Sequence, residues 1–205
     1  ALALAGHDRH LVVFGEPGAG KTTALRKLAH VALEEGPEML GLATDTLPVF
    51  LRLRRLTRPQ LRKRLDRFIQ SELDELAPGR FPPDMAAQLW KYGNLLLLLD
   101  GLDEIADDQL RADVCTYLDR QLSGVHARGI RAVVSCRYSG YGDGVFLGAR
   151  FLHLDVCPLN DTQIAALAHT WFCAARRALE LDPDKEDDAE QQGAHRSPVA
   201  VRGQI

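Results

Sequence analysis

Gly15-Glu16-Pro17-Gly18-Ala19-Gly20-Lys21-Thr22-Thr23 follows the apolar run Leu11-Val12-Val13-Phe14 without a break and leads straight into Ala24-Leu25-Arg26-Lys27-Leu28-Ala29. Strand, glycine-rich loop, Lys-Thr and helix come in the order that a phosphate-binding loop requires. Glycines at 15, 18 and 20 let the backbone turn its amides inward without Cβ clashes. Those amides and the start of the next helix form a site for a polyphosphate. Lys21 is placed to reach the outer phosphates, and the Thr22 hydroxyl to bind Mg²⁺. Glu16, Pro17, Ala19 and Thr23 complete the candidate binding loop.

The second informative stretch is Leu95-Leu96-Leu97-Leu98-Leu99-Asp100-Gly101-Leu102-Asp103-Glu104. An unbroken apolar run reads as a strand buried on both faces, in the middle of a parallel sheet. Its carboxyl end carries Asp100, at the sheet edge where ligands bind. Asp100 is placed to hold Mg²⁺ opposite Thr22. Asp103 and Glu104 can orient or deprotonate an attacking water, and the sequence leaves open which of them does so.

Between and beyond these motifs, strands alternate with helices. A helix is expected from Lys21 to about Glu35, with Leu25, Leu28, Ala29, Ala32 and Leu33 inward, stopped by Gly36-Pro37. Residues 46–56 read as a strand. A long amphipathic helix is expected from Thr57-Arg58-Pro59 to about Ala77, with Arg62, Lys63, Arg64 and Arg67 on a solvated face. A short helix holds Met85, Leu89 and Trp90, and another spans about 107–123. Residues 130–135 and 151–154 are the fourth and fifth strands. Asn160-Asp161-Thr162 caps a last helix to about Leu181, after which residues 182–190 turn acidic and read as a surface loop. The alternation implies an α/β, doubly wound parallel sheet with right-handed crossovers.

Ser135-Cys136-Arg137 ends the fourth strand. In an ATPase sheet ordered 5-1-4-3-2, that strand lies between the phosphate-loop strand and the acidic strand. Arg137 would then point at the γ-phosphate. The segment Tyr138–Gly144 reads as a flexible loop that either moves with nucleotide state or is inert.

Composition narrows the classes. With 205 residues, 46% of them apolar, the chain suffices for one α/β domain with a sizeable core. A formal net charge of −3 gives no global basic field, so nucleic acid is not an expected partner. No apolar run approaches the roughly 18 residues that span a bilayer. Ala1–Ala5 lacks the basic flank of a signal peptide. Cys115, Cys136, Cys157 and Cys173 form no C-x-x-C, and are expected to be buried free thiols in a reducing cytoplasm. The chain opens without Met, and is expected to be part of a longer one.

GEPGAGKTT, LPVFLRLRRL, LLLLLDGLDEI, VVSCRYSGY and FLHLDVCPLNDTQIAALAHTWF, in that order, resemble a NACHT domain over about residues 9–175. NACHT domains belong to the signal-transducing STAND branch of P-loop ATPases. The most specific mark is DGLDE, since AAA+ proteins place the glutamate directly after the metal aspartate. The resemblance implies the five-stranded order 5-1-4-3-2. It also implies an ATP/ADP switch, closed when ADP-bound and self-associating when ATP-bound, in a prokaryotic defence or regulatory protein. By resemblance Lys21 and Thr22 bind phosphate and Mg²⁺, Asp100 binds Mg²⁺, and Asp103 or Glu104 serves catalysis. Arg137 becomes the sensor, and Arg52 or Arg54 approaches the same γ-phosphate side.

Residues 1–9 are expected to lead in from an upstream element, 10–157 to form the nucleotide-binding domain, and 158–205 to begin a following helical domain. The Gly-x-Pro segment and winged-helix histidine of complete family members are not seen, and His195-Arg196-Ser197-Pro198 lies too early to replace that histidine. The adenine pocket is thus expected to be incomplete and hydrolysis slow, with effector and sensor domains elsewhere. Two rival readings stand beside this one. A remodelling ATPase would carry an Asp-Glu pair directly at the strand end. A scaffold that binds nucleotide without turnover would not need Lys21, Thr22, Asp100 and Glu104 together.

Overall fold

The five leucines of β3 (Leu95–Asp100) are all buried, as an unbroken apolar strand demands. They divide by parity. Leu95, Leu97 and Leu99 enter one core, Leu96 and Leu98 the other, because successive side chains point to opposite faces. A strand buried on both faces must have strands on both sides and helices above and below. In this computed structural model, which describes residues 9–123, 127, 129–142 and 144–180, it does.

The sheet holds β1 (His10–Phe14), β2 (Leu47–Arg52), β3, β4 (Arg131–Cys136) and β5 (Phe151–Asp155). Its order is β2-β3-β4-β1-β5 with every pair parallel. Read from the other edge this is 5-1-4-3-2, the expected α/β topology. Helix α1 (Lys21–His30) lies on the Leu96 face, with Leu25 and Leu28 packed beside Leu11, Val13 and Val133. Helices α2 (Leu65–Leu76), α3 (Met85–Tyr92) and α4 (Asp108–Gln121) cover the opposite face through Phe68, Ile69, Trp90, Val114 and Leu118. β1 and β4 are neighbours, so the phosphate-type loop, the acidic strand end and Arg137 all emerge at one carboxyl edge.

Three local expectations change. The helix after the loop does reach Glu35, but its last turn, Val31–Glu35, widens to a π-helix. There Leu33 is 65% exposed and not in the core, since a wider turn breaks the 3.6-residue phase that aligned it with Leu25. β2 ends at Arg52, and Leu53–Arg55 forms a 3-10 turn that buries Leu53. The long helix expected from residue 57 is a separate 3-10 turn, Gln60–Arg62, followed by extended Lys63 and Arg64. The Thr57 amide and hydroxyl both donate to Gln60 Oε1, closing that turn on itself, and the Gln121 side chain accepts the Leu65 amide where α2 begins. The Thr57–Gln60 pair caps a helical start, whereas Gln121 takes the Leu65 amide that a continuous helix would have bonded to the Leu61 carbonyl.

The chain divides into two compact units, 1–157 and 158–205. In the second, α5 (Asp161–Glu180) opens with a reciprocal cap. The Asn160 amide donates to Gln163 Oε1, and the Gln163 amide to Asn160 Oδ1. Ile164, Leu167, Trp171 and Phe172 of α5 are exposed. The lead-in at residues 1–8, the acidic stretch 182–190 and His195–Pro198 lie outside the described residues. Only two of the cysteines meet the expectation of burial. Cys115 and Cys136 are interior, whereas Cys157, just beyond the edge strand β5, and Cys173 on α5 are exposed. Among the described residues no helix is long and apolar enough to cross a membrane.

Candidate functional site

The loop between β1 and α1 takes its shape from two glycines in the left-handed region, Gly18 at φ 80° and Gly20 at φ 88°. Gly20 caps α1, so the amides of Lys21, Thr22 and Thr23 fall in the first turn, where no helical carbonyl precedes them. This is the electropositive end of the helix. Lys21 Nζ donates to the carbonyls of Gly15 (2.7 Å) and Glu16 (3.1 Å), which holds its ammonium over the mouth of the loop. Neutral carbonyls are weaker partners for an ammonium than phosphate oxygens.

A cavity of about 240 Å³ opens in front of this loop. Pro17, Gly18, Gly20, Lys21, Thr22 and Thr23 form one wall, and Asp100, Gly101, Asp103, Glu104, Ser135 and Arg137 form the other. Every candidate metal or catalytic residue named from the sequence therefore borders one cavity. Gly15, Glu16 and Ala19 belong to the loop but not to that lining, and two of them contribute the carbonyls that hold Lys21.

Asp100 is 8% exposed and closely bonded. The Thr22 hydroxyl lies 3.0 Å from both of its carboxylate oxygens. Ser135 Oγ donates to Asp100 Oδ1 at 2.6 Å and accepts the Gly101 amide at 2.8 Å. A hydroxyl and a carboxylate converging at the end of a loop that favours anions are the all-oxygen, hard donors that suit Mg²⁺. The donor set fits that ion.

The two acids beyond Asp100 are treated differently. Gly101 is left-handed (φ 75°), and a Cβ there would lie 2.8 Å from Glu104 Cδ. Glycine both makes the turn and leaves room for Glu104. Asp103 is nearly buried. Its Oδ1 accepts the Arg137 amide at 3.0 Å and its Oδ2 the Arg137 Nε at 3.1 Å, with side-chain exposures of 9% and 46%. Among the described residues Glu104 pairs with Arg54 Nη1 alone, at 3.3 Å and exposed on both sides. Such a pair contributes little, about 0–1 kcal/mol. Of the two arginines expected near the γ-phosphate side, Arg54 reaches Glu104 from the turn after β2. Arg52 is paired in register with Asp100 but is exposed and does not line the cavity.

The segment after Arg137 is more constrained than a glycine-rich loop suggests. The Tyr138 ring stacks on Phe14 at 5.5 Å and its hydroxyl donates to Asp155 Oδ1 at 2.7 Å. Tyr141 packs edge-on against Phe14 and His153, and its hydroxyl accepts the Leu147 amide at 2.7 Å. Gly140 sits so close to the acidic turn that a Cβ would come within 2.5 Å of Asp103 Cβ. Burial, reinforced by Asp103, pushes the Cys136 thiol up to about 12, so it stays neutral beside this network. Ser135 is the contributor that sequence reasoning passed over. The available signal was a hydroxyl inside the otherwise apolar run Ala132-Val133-Val134-Ser135-Cys136.

The family model for the NACHT domain matches residues 9–175. No curated protein matches the chain. Among solved structures it is similar to the Aeropyrum pernix ORC1 protein in complex with DNA (17% identity, TM-score 0.47, 79% of this chain and 43% of that one). It is also similar to C. elegans PCH-2 (15%, 0.47, 85% and 42%) and to Drosophila ORC bound to DNA (20%, 0.44, 76% and 38%). The chain spans less than half the length of each of these.

Proposed function

The chain belongs to the NACHT domain family and is a nucleotide-binding P-loop NTPase, and from that premise we propose that it is the ATP-hydrolysing core of a signalling switch. ADP holds the resting state and ATP the self-associating one, with the output in defence or regulation. The observation that carries this reading is the unequal treatment of the two acids. Asp103 is committed to Arg137, whereas Glu104 borders the cavity and, among the described residues, has one weak, exposed partner.

The phosphates lie against the loop amides and the start of α1, with Lys21 turning from the Gly15 and Glu16 carbonyls to the β- and γ-oxygens. Thr22 and Asp100 hold Mg²⁺, which supplies charge neutralisation at the phosphates. Glu104 orients the attacking water and takes up its proton. Arg137 stabilises charge on the transferred group and reports its presence. Its Nε stays with Asp103, so the arginine reaches the γ-phosphate by its Nη end. The pull is then transmitted to Asp103 and the turn beneath it. Loss of the phosphate on hydrolysis removes that pull and resets the switch. The turnover is slow, the nucleotide is ATP or ADP, and the protein acts in the cytoplasm.

The deciding experiment is light scattering on a protein that contains this chain with its neighbouring domains. It should be larger with a non-hydrolysable ATP analogue than with ADP. A mass that does not depend on the nucleotide would sink the switch.

A further inference from the structure

Asp100 is the residue that must meet a cation, yet its own strand does not fix its carboxylate. A carboxylate at a strand end can rotate about χ2 and present either oxygen. In this chain Ser135, on the neighbouring strand β4, removes that freedom. It is 1% exposed, and both ends of its hydroxyl are used. The single proton goes to Asp100 Oδ1 at 2.6 Å, and a lone pair accepts the Gly101 amide at 2.8 Å. A hydroxyl has only one proton, so these two bonds determine each other's direction. Oδ1 is thereby occupied on the β4 side. The Thr22 hydroxyl stands 3.0 Å from both oxygens, so among the described residues Oδ2 has no contact beyond Thr22, whereas Oδ1 carries the Ser135 bond as well.

We propose that Ser135 is a positioning residue for the metal aspartate. It orients Asp100 for Mg²⁺ and, through the Gly101 amide, locks that orientation to the turn that carries Asp103 and Glu104. The inference rests on the nucleotide-site reading above and deepens it. Ser135 acts through the two groups its hydroxyl bonds, the Asp100 carboxylate and the Gly101 amide. Its effect is that cation affinity and the placement of the acids depend on one hydroxyl. Partners that orient a metal ligand typically change metal affinity 10–100-fold when removed.

The test titrates Mg²⁺ into the full chain with a fluorescent ATP analogue, reading nucleotide binding and not turnover. Wild type is compared with Ser135→Ala, with Ser135→Cys, which keeps the volume but donates weakly, and with Ser135→Thr, which keeps the hydroxyl. Thermal melting is recorded for each protein without nucleotide. Half-saturating Mg²⁺ should rise about tenfold or more in Ser135→Ala and Ser135→Cys, return towards wild type in Ser135→Thr, and leave binding in EDTA within about twofold. A folded Ala or Cys variant with wild-type Mg²⁺ dependence overturns the proposal. Loss of cooperative melting in both reduces Ser135 to a packing residue and overturns it equally. A wild type whose nucleotide binding ignores Mg²⁺, or Lys21→Ala with undiminished affinity, fails the nucleotide-site reading itself and is recognised separately.

Discussion

Asp103 and Arg137, 34 residues apart, are joined twice: the carboxylate accepts the arginine's backbone amide at 3.0 Å and its side-chain Nε at 3.1 Å. The first bond belongs to the backbone and survives any movement of the guanidinium. The second can be shared with a competing anion. Asp103 is thus an anchor as well as a counter-ion, and this separates its behaviour on mutation from that of Glu104.

Glu104→Gln should keep ADP and ATP affinity and lower turnover by about 10²–10⁴-fold, the range of a lost general base. Asp103→Asn keeps an acceptor for the Arg137 amide but drops the charge that holds Nε. It should bind ATP and ADP with more nearly equal affinity while losing less turnover than Glu104→Gln. Single-turnover hydrolysis and competition binding on both variants decide the assignment, and equal losses of turnover would reverse it.

Lys21→Ala removes the ammonium that spans the Gly15 and Glu16 carbonyls. A charge-assisted contact to phosphate is worth about 1.5–3 kcal/mol, so nucleotide affinity should fall by about 10–150-fold. Lys21 belongs to neither buried core cluster, and the melting temperature without nucleotide should barely move. Calorimetric titration with ADP checks the first statement and a thermal melt the second.

Gly140→Ala should destabilise the fold by about 1–3 kcal/mol, because its Cβ would need the space 2.5 Å from Asp103 Cβ and 2.9 Å from Asp103 Cα. The displaced atoms are backbone and Cβ, which cannot swing aside as a flexible side chain can. Urea denaturation measures the cost. The same variant should weaken the preference between ATP and ADP, since the Arg137 turn rests on that contact.

Stability should fall on acidification through His10. Burial lowers its pKa below the ordinary 6.5, outweighing the raising effects of the Leu122 carbonyl and Asp119, while Arg131 and Arg150 push the same way as burial. Its Nδ1 accepts the Ala132 amide at 3.2 Å, a bond only the neutral ring can make. The unfolded chain therefore binds more protons at this site than the folded one. The stabilisation is complete above pH 6.5 and is lost as pH falls through that value towards the lower folded pKa. Urea midpoints at pH 8 and pH 5.5 should differ more for wild type than for His10→Asn, which retains an acceptor but does not titrate. An equal difference in both would reject the assignment.

The strand-loop-helix at residues 11–25, the buried run of β3 and the alternation of strands and helices were legible because each depends on short-range pattern. Backbone freedom at glycine, side-chain parity along a strand and the 3.6-residue helical period are local properties. The cap at Asn160 follows the same kind of signal. Less legible was the stretch 57–64, where apolar spacing fits a helix. The distant Gln121 captures the Leu65 amide, which that helix would have used. The π turn at Val31–Glu35 is similar, since Leu33 keeps the right spacing and faces away.

The residue types at the site were determined by the sequence alone: a lysine and threonine after the glycines, an aspartate at the end of β3, two acids just beyond it, and an arginine after β4. Which of them hold one another was decided only by the tertiary structure. Ser135 meets Asp100 across 35 residues and Arg54 meets Glu104 across 50. Asp103 reaches Arg137 because β3 and β4 are neighbours in a parallel sheet. Parallel pairing brings the carboxyl ends of strands together however far apart they lie in the chain. The different partners of Asp103 and Glu104 therefore come from strand order, which no local pattern encodes.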